Sequence, residues 1–430
     1  MYSIPPRPNF VASIYRGDST LGIIAKDFRL QGFNQRVDTP LRQTPVKGTQ
    51  TQSEPRGLRM RRVSTICLII ASLVFTHFPA HAGDARDLHR NDAERIDAMI
   101  HVYDRPDSPG ISVIVIKDRM VLYKKAYGLA DVEARVANTT NTNFRLASVT
   151  KQFTAMAILI LMERGKLSLE SHLADFFPDF PAYGREITIR QLLNHTSGLP
   201  DYEALVPADQ KEQLSDEDVL RILKQPTKGN FRPGAKFKYS NSGYVVLGLI
   251  AAKVSGKSFA RFLEESIFQP LGMSSTVAYE PGISTVKNRA YGYIPAGKTF
   301  GRTDQSLTSA TLGDGGIYSS VEDLYHWDQA LNTTKLVRAT TLKQAFSPGN
   351  YGNGQTSNYG FGWFVDTVAG IRAVSHGGTT VGFRNHIVRL PDEKLTVIVL
   401  MNRSDGVPAE IANNIARNYC PDFTGSPRRP

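Results

Sequence analysis

The 430-residue sequence predicts an α/β fold, in which an antiparallel sheet is built from both chain ends, flanked by helices, and carries an inserted, mainly helical subdomain. Two β-hairpin patterns, one beginning near residue 111 and the other near residue 382, are the first observation behind this prediction. The second is a long stretch of capped helical patterns between them, at about residues 165–345. Strands at both ends with helices between them favour one sheet that carries an insertion.

The first hairpin pattern follows a helical one. From residue 84 to residue 103, apolar and polar residues mix at the spacing of a helix. Residues 111–116 form a β-branched run, residues 117–119 a polar turn, and residues 120–129 a second strand pattern. We therefore expect a helix and two antiparallel strands at the start of the folded chain.

The last part of the chain mirrors the first. Residues 382–390 and 395–402 are typical of two strands joined by a Pro-Asp-Glu-Lys turn, and residues 408–419 have a helical pattern. Helix starts in the middle region are marked by hydroxyl caps with a partner three residues later, namely Thr188 with Gln191, Ser215 with Asp218, and Ser320 with Asp323. These signals predict the helices of the inserted region.

The net charge of +11 lies mostly outside the predicted fold. Residues 1–82 contain 11 of the 51 Lys and Arg residues and 4 of the 40 Asp and Glu residues, which leaves a net charge of +4 for residues 83–430. No block of Lys and Arg in that remainder forms the kind of stripe that follows a phosphate backbone. The sequence therefore argues against a nucleic-acid partner.

The N-terminal region carries the pattern of a secretory signal peptide at residues 60–82. Residues 60–62 are Met-Arg-Arg, residues 63–78 are an apolar run, and residues 80–82 are Ala-His-Ala. A basic start, a short apolar run and small residues two apart are the three parts of such a signal. We expect cleavage after Ala82 and an exported protein, periplasmic or secreted, without a stable membrane span. The alternative is a membrane-tethered protein that retains residues 63–78.

Residues 1–59 precede this signal and are rich in Pro, Gln and Thr, without a helical or strand period. We interpret them as a disordered leader or a misassigned start. Residues 83–430 are expected to form a single domain. Of the two cysteines, Cys67 lies within the predicted signal, which leaves Cys420 without an internal disulfide partner.

The segment Ser148-Val-Thr-Lys151 carries the clearest chemistry. It opens a helix that is apolar nearly all round from residue 155 to residue 162 and ends at Gly165. Residues three apart share a helix face, and a desolvated amine can take the proton of a serine nucleophile. The alternative is a capping serine followed by a lysine that reaches solvent. A second Ser-x-x-Lys copy at residues 284–287 lacks a helical stripe and is expected to be a surface loop.

Two later segments supply groups that suit the same chemistry. Tyr239 and Asn241 follow a Pro-Gly turn just before an apolar helix, where a phenol can relay a proton and an amide can hold a carbonyl. Residues 375–380, Ser-His-Gly-Gly-Thr-Thr, lead into the last hairpin. The glycines allow close approach of the backbone to a ligand, and a strand N–H there could join that of Ser148 in an oxyanion hole.

In order and approximate spacing, these segments resemble the class C β-lactamase and D-alanyl-D-alanine carboxypeptidase family, through the motifs Ser148-x-x-Lys151, Tyr239-x-Asn241 and His376-x-Gly378. That family also contains esterases and D-aminopeptidases. The resemblance extends over about residues 84–419. It implies a β-lactamase/transpeptidase-like fold and a serine hydrolase that needs neither a metal nor an organic cofactor.

The resemblance also implies a role for each motif. Ser148 would attack an acyl carbon, Lys151 and Tyr239 would share its proton, and water would resolve the acyl-enzyme. Whether the amine or the phenol is the base stays open, because the two would titrate as a coupled pair. The N–H groups of Ser148 and Thr379 would form the oxyanion hole. The implied substrate-binding residues are Asn241, His376, Gly378 and Thr379.

One departure from the family pattern bears on the substrate. Class C β-lactamases have Lys-Thr-Gly where this chain has His376-Gly-Gly378, and histidine is mostly neutral at pH 7. We therefore expect a small acyl or peptide substrate, with D-alanyl peptides, including cell-wall peptides, or small esters favoured over β-lactams. The alternative function is a non-hydrolysing, penicillin-binding type of sensor with the same fold.

Other catalytic patterns are missing from the sequence. The nine histidines are scattered without a His-Glu-x-x-His run, and no Gly-x-Ser-x-Gly elbow occurs. We therefore expect neither a zinc enzyme nor an α/β-hydrolase. His195 is expected to be a hydrogen-bonded structural residue, and Asp314, beside two glycines, either a turn former or a site residue.

Overall fold

The computed structural model describes residues 84–352 and 354–425, and only the backbone for residues 84–91. The predicted leader at 1–59 and signal peptide at 60–82 lie outside the described residues. The helices are α1 (Asp84–Ile100), α2 (Lys151–Glu163), α3 (Leu173–Phe176), α4 (Ile189–Leu193), α5 (Asp216–Leu223), α6 (Asn241–Ser255), α7 (Phe259–Leu263), α8 (Gln269–Leu271), α9 (Val321–Ala330), α10 (Ala339–Ala345) and α11 (Pro408–Tyr419).

The strands form one large sheet and several small ones. They are β1 (Ile111–Lys117), β2 (Met120–Tyr127), β3 (Leu129–Asp131), β4 (Val136–Ala137), β5 (Phe144–Arg145), β6 (Val277–Ala278), β7 (Tyr293–Ala296), β8 (Thr299–Arg302), β9 (Ile317–Ser319), β10 (Asn350–Tyr351), β11 (Gln355–Thr356), β12 (Phe364–Val368), β13 (Ile371–Thr380), β14 (Phe383–Leu390) and β15 (Leu395–Met401). The large sheet has six strands in the order β12-β13-β14-β15-β1-β2.

The large sheet joins the two ends of the described chain, as the sequence predicts. Strand β1 pairs antiparallel with β15 in a continuous register from Ile111–Met401 to Lys117–Leu395, and with β2 on its other side. Strands β12 to β15 form consecutive antiparallel pairs. Both predicted hairpins and the antiparallel sheet are therefore confirmed, and the predicted helix at 408–419 matches α11.

The central strands β1 and β15 are buried on both faces of the sheet, which explains the unbroken apolar run of β1. Ile111 and Val113 point to a core that includes Ile96 of α1 and Ile415 of α11. Ile114 of the same strand points to the opposite core, which the middle region of the chain fills. A strand covered on both sides loses the usual alternation of apolar and polar residues. Helices α2 and α6 pack in this second core through residues such as Phe153 and Val245.

The inserted region is mainly helical but also contains short strands that the sequence patterns do not predict. The capping boxes at Thr188 and Ser215 and the cap at Ser320 form as expected. Strands β6 and β9 join β5 in a three-stranded sheet, and β7 and β8 form a separate hairpin. Strands of two to four residues carry too few side chains to establish a period of two.

The second Ser-x-x-Lys copy lies in a loop, as expected. Ser284 accepts a hydrogen bond of 2.8 Å from the N–H of Glu280, and Lys287 is exposed. In the described part of the chain, we find no helix whose length and apolar character would let it cross a bilayer.

Candidate active site

The backbone before Ser148 is held in an unusual conformation by two strands. Strand β5 ends at Arg145, and the N–H of Leu146 donates to the carbonyl oxygen of Ile317 in β9 at 2.8 Å. The next residue, Ala147, has a φ of +51°, a backbone conformation that residues other than glycine rarely adopt. Ser148 then lies in a short 3-10 turn that leads into α2 at Lys151. Such a turn presents the hydroxyl at a fixed position, and its backbone strain is typical of functional sites.

Lys151 is fully buried and its amine is held by three oxygen atoms. The Nζ atom lies 3.0 Å from Ser148 Oγ, 2.8 Å from Asn241 Oδ1 and 2.9 Å from the carbonyl oxygen of Asp314. These three contacts fix the position of the nitrogen beside the Ser148 hydroxyl. The sequence alternative of a lysine that reaches solvent is therefore wrong, since this side chain is 0% exposed.

Tyr239 lies beside the amine and is half-buried. Its ring centroid is 5.2 Å from Lys151 Nζ, and the ring packs against that of His195 at a centroid distance of 4.2 Å. The rings of Phe364 and Tyr239 are nearly parallel, with centroids 6.4 Å apart. Packing from several sides therefore fixes the Tyr239 ring beside the Lys151 amine.

Asn241 is the first residue of α6 and links the lysine to an acidic residue that the sequence patterns do not single out. Its Oδ1 accepts from Lys151, and its Nδ2 donates to Glu203 Oε1 at 3.1 Å. Partial burial, together with the negative charges of Asp201 and Asp314, raises the pKa of the Glu203 carboxyl. Glu203 lies in a 3-10 turn far from the motifs in sequence, so only the folded chain brings it to the site.

Strand β13 supplies the remaining predicted residues in different ways. Its pairing with β12 ends at the Phe364–Ser375 pair, and residues 376–380 extend beyond the start of β12. Thr379 is exposed and lines the cleft with Ser148. A Cβ atom on Gly378 would lie 2.1 Å from the carbonyl oxygen of Leu146, so only glycine allows the strand to lie against the nucleophile turn.

His376 does not reach the cleft surface. It is 2% exposed, its Nε2 lies 2.9 Å from the hydroxyl of Tyr359, and its Nδ1 lies 2.6 Å from the carbonyl oxygen of Gly377. The ring stands 6.2 Å from that of Tyr239, centroid to centroid. The structure thus places His376 behind Tyr239 as a supporting side chain, and direct substrate contact through its imidazole finds no support in this position.

His195 is a buried structural residue, as expected from its sequence context. Its Nδ1 accepts a hydrogen bond of 3.3 Å from the backbone N–H of Ser240. Burial, with the nearby charges of Lys151 and His376, holds the pKa of His195 well below its ordinary value. The imidazole is therefore neutral at pH 7 and packs beneath Tyr239.

The sequence patterns also do not single out Asp216, an acidic residue that is buried in the structure. It is the first residue of α5, and its carboxylate accepts the N–H of Leu312 at 3.1 Å. Burial and the charge of Asp314 raise its pKa well above the ordinary value. The carboxylate of Asp314 accepts a hydrogen bond of 3.1 Å from the hydroxyl of Tyr202, and its backbone carbonyl oxygen accepts one from Lys151. Asp314 is therefore a residue of the candidate site rather than only a turn former.

The cleft exposes the Ser148 hydroxyl, which contacts the Lys151 amine, next to Thr379 of strand β13. Around Ser148 its lining is mostly polar and includes Glu203, Asn241, Thr308, Thr311, Gly315, Thr379 and Thr380. In residues 84–352 and 354–425, no cluster of three or more His, Cys, Asp or Glu side chains is placed to hold a metal ion. The arrangement suits acyl transfer through a serine ester.

Comparison with known proteins agrees with this chemistry. A family model described as beta-lactamase matches residues 96–419. A penicillin-binding protein of Bacillus subtilis (strain 168) is 35% identical over 316 residues, which cover 70% of each chain. A D-aminopeptidase of Cereibacter sphaeroides is 29% identical over 337 residues, and the match covers 75% of this chain and 61% of that protein.

Solved structures with the same fold include a penicillin-binding protein homologue and a D-amino acid amidase. The octameric penicillin-binding protein homologue from Pyrococcus abyssi superposes with a TM-score of 0.64 at 29% identity, covering 76% of each chain. The D-amino acid amidase from Ochrobactrum anthropi SV3 has a TM-score of 0.64 at 23% identity, and the match covers 78% of this chain and 98% of that one. The β-lactamase/transpeptidase-like fold predicted from the sequence is therefore confirmed. The chain belongs to the beta-lactamase family, and its fold is that of the family's serine hydrolases.

Proposed function

We propose that the protein hydrolyses amide and ester bonds through an acyl-enzyme on Ser148. The 3.0 Å contact between Ser148 Oγ and Lys151 Nζ is the observation that carries this proposal. In the first step the Ser148 oxygen bonds to the acyl carbon, and its proton passes to the group shared by Lys151 and Tyr239. The same proton then goes to the leaving amine or alcohol as the original acyl bond breaks.

Hydrolysis of the acyl-enzyme repeats these steps with water. A water molecule gives a proton to the Lys151–Tyr239 pair and its oxygen to the acyl carbon, and the Ser148 oxygen leaves with that proton. In both steps the backbone N–H groups of Ser148 and Thr379 would stabilise the negative oxygen of the tetrahedral intermediate. Removal of one such donor typically costs a factor of about 100–1,000 in turnover.

We further propose D-aminoacyl amides with a free amino group as the preferred substrates, with small esters next and β-lactams last. The exposed Glu203 carboxylate in the cleft lining suits an ammonium group. Arg145 and Lys151 are both buried, so within the described lining no exposed cation is available for the carboxylate of a penicillin. The similarity to proteins named D-aminopeptidase and D-amino acid amidase supports this order.

Steady-state turnover of chromogenic anilides tests both the role of Ser148 and the preference for substrates with a free amino group. We expect D-alanine p-nitroanilide to be hydrolysed, its N-acetylated form at least about tenfold more slowly in kcat/KM because the ammonium is lost, and Ser148→Ala to be inactive. Release of one equivalent of nitroaniline per protein, with no further turnover, would instead favour the non-hydrolysing sensor, because such a protein is acylated but does not release the acyl group. Hydrolysis by Ser148→Ala at the wild-type rate would refute the mechanism.

We also propose that the protein acts after export. The basic start at residues 60–62, the apolar run at 63–78 and the Ala-His-Ala sequence at 80–82 support a cleaved signal. An exported location would give the enzyme access to D-alanyl peptides of the cell wall.

A further inference from the structure

The loop of residues 312–314 lies behind the catalytic lysine and is tied down on several sides. The carboxylate of Asp216 accepts the N–H of Leu312 at 3.1 Å through Oδ1 and at 3.3 Å through Oδ2, and also receives a backbone hydrogen bond from Gly313. From the opposite side, the hydroxyl of Thr154 in α2 donates to the carbonyl oxygen of Gly313 at 2.6 Å. The peptide groups of the loop are therefore fixed between α5 and α2.

Packing leaves this loop no room to move toward the third helix, α6. A Cβ atom on Gly313 would lie 2.2 Å from the carbonyl oxygen of Tyr244 and 3.2 Å from Cα of Val245. The loop backbone is thus in direct contact with the backbone of α6. A loop held in this way has one position, and a small displacement of its anchors moves the groups that it presents.

The group that the loop presents to the active site is the carbonyl oxygen of Asp314, 2.9 Å from Lys151 Nζ. It is one of three oxygen atoms that orient the amine, and the other two belong to Ser148 and Asn241. Without this contact the amine would gain freedom to turn away from the nucleophile. Proton transfer depends on such alignment, and small misplacements have large effects on rate.

We propose that Asp216 is a positioning residue for Lys151, which acts by clamping the backbone of residues 312–314 without touching substrate. This inference rests on the proposed hydrolase function. It assigns a role in the reaction to a buried carboxylate, 8% exposed, that lies on a different helix from every predicted catalytic residue. Both of its side-chain oxygen atoms lie within hydrogen-bond distance of the Leu312 N–H, and a buried polar group that loses such a partner is costly to a fold.

Two substitutions that keep side-chain volume test the clamp. In Asp216→Asn only one side-chain oxygen is left to accept hydrogen bonds from the N–H groups of Leu312 and Gly313. The NH2 group that replaces the other oxygen cannot accept a hydrogen bond, so we expect the loop to be held less firmly. We expect kcat for D-alanine p-nitroanilide to fall by about tenfold, with KM changed by less than about twofold, because only the transition-state alignment is lost. In Thr154→Val the opposite anchor is removed, and kcat should fall in the same direction.

Asp218→Asn is the matched control. Asp218 lies on the same helix. Its carboxylate accepts a hydrogen bond from the backbone N–H of Ser215 and forms an ion pair with Arg221 at the surface. This variant should lower the melting temperature and leave kcat per active site unchanged. Active sites are counted by intact mass after a fluorophosphonate probe, so that unfolded protein does not enter the comparison.

The outcomes separate the inference from the proposed function. Unchanged kcat and unchanged labelling rate per active site in Asp216→Asn, or in Thr154→Val where the former does not fold, would overturn the clamp. An equal loss of kcat in Asp218→Asn would overturn it as well, since the effect would then be general destabilisation. Absence of any adduct in the wild type would refute the proposed function, and the inference with it.

Discussion

The side-chain amide of Asn241 donates a hydrogen bond of 3.1 Å to Glu203, while its oxygen accepts one from Lys151. One side chain thus connects the fully buried amine of Lys151 to a carboxylate that solvent reaches. The Lys151 donor and the Glu203 acceptor set the orientation of the amide, because only one arrangement satisfies both. A change at either end of this chain of contacts is therefore expected to affect the other.

Substitution of Lys151 by alanine is expected to reduce kcat far more than it changes KM. General acid–base catalysis contributes a factor of about 100–10,000, and the variant lacks the amine that lies 3.0 Å from Ser148 Oγ. Steady-state kinetics with D-alanine p-nitroanilide measures both constants. Loss of substrate affinity with kcat preserved would contradict the proton-transfer role of Lys151.

The pH dependence of KM should report on Glu203. Because its pKa is raised, this carboxyl is protonated at a higher pH than an ordinary glutamic acid, and its attraction for an ammonium is lost as the pH falls through that raised value. KM for D-alanine p-nitroanilide should therefore rise on mild acidification, while KM for an uncharged acetate ester stays flat. Glu203→Gln should remove the difference; a variant that keeps it would show that another group binds the amine.

The contact between Gly378 and Leu146 predicts a sharp effect of one added methyl group. In Gly378→Ala the new Cβ would meet a backbone oxygen at 2.1 Å, so strand β13 must shift away from the nucleophile turn. Overpacking of this kind destabilises a protein by about 1–3 kcal/mol, and the displaced Thr379 N–H should also lower kcat.

Gly301→Ala is the control for this substitution. Gly301 lies in β8, and the nearest atoms to a Cβ there are side-chain carbons at 3.9 and 4.0 Å. Thermal unfolding and turnover should both stay at the wild-type values in this variant. Wild-type stability and activity in Gly378→Ala would contradict the close packing described for the site.

Processing of the N-terminus is checked by intact mass and N-terminal sequencing of protein collected from the periplasm or medium. A signal peptide at residues 60–82 predicts a mature chain that begins at Gly83. A chain that still contains residues 63–78 would support the membrane-tethered alternative.

Much of the fold follows from patterns that are local in the sequence. The β-branched residues of β1 and the apolar run of β15 are long enough to establish strands. The start of α5 is marked by the capping residue Ser215 and its capping-box partner Asp218, three residues later. Strands β6 and β9 are different. They contain two and three residues. Strand β9 pairs with β5 through Phe144–Ser319 and Arg145–Tyr318, which are far apart in the sequence, and β6 joins the sheet only through β9.

The same limit separates the motif residues from the rest of the site. Ser148 and Lys151 are three residues apart on one turn, so their proximity is a local property. Glu203 and Asp216 have no motif of their own, and the pattern of α5 identifies Asp216 only as an acidic residue of a first helical turn. Its burial against the loop at Leu312 is a consequence of how α5 packs, which no sequence period records. His376 illustrates the converse, because its motif position suggests substrate contact whereas packing against Tyr359 buries it.

Intact mass after reaction with a fluorophosphonate probe tests the central claim most directly. The account predicts one covalent adduct on the wild-type protein, mapped by peptide analysis to Ser148, and none on Ser148→Ala. The Lys151→Ala variant should form the same adduct far more slowly, since its serine lacks the amine 3.0 Å away. An adduct that persists unchanged in Ser148→Ala would show that another residue is the nucleophile and would contradict the account.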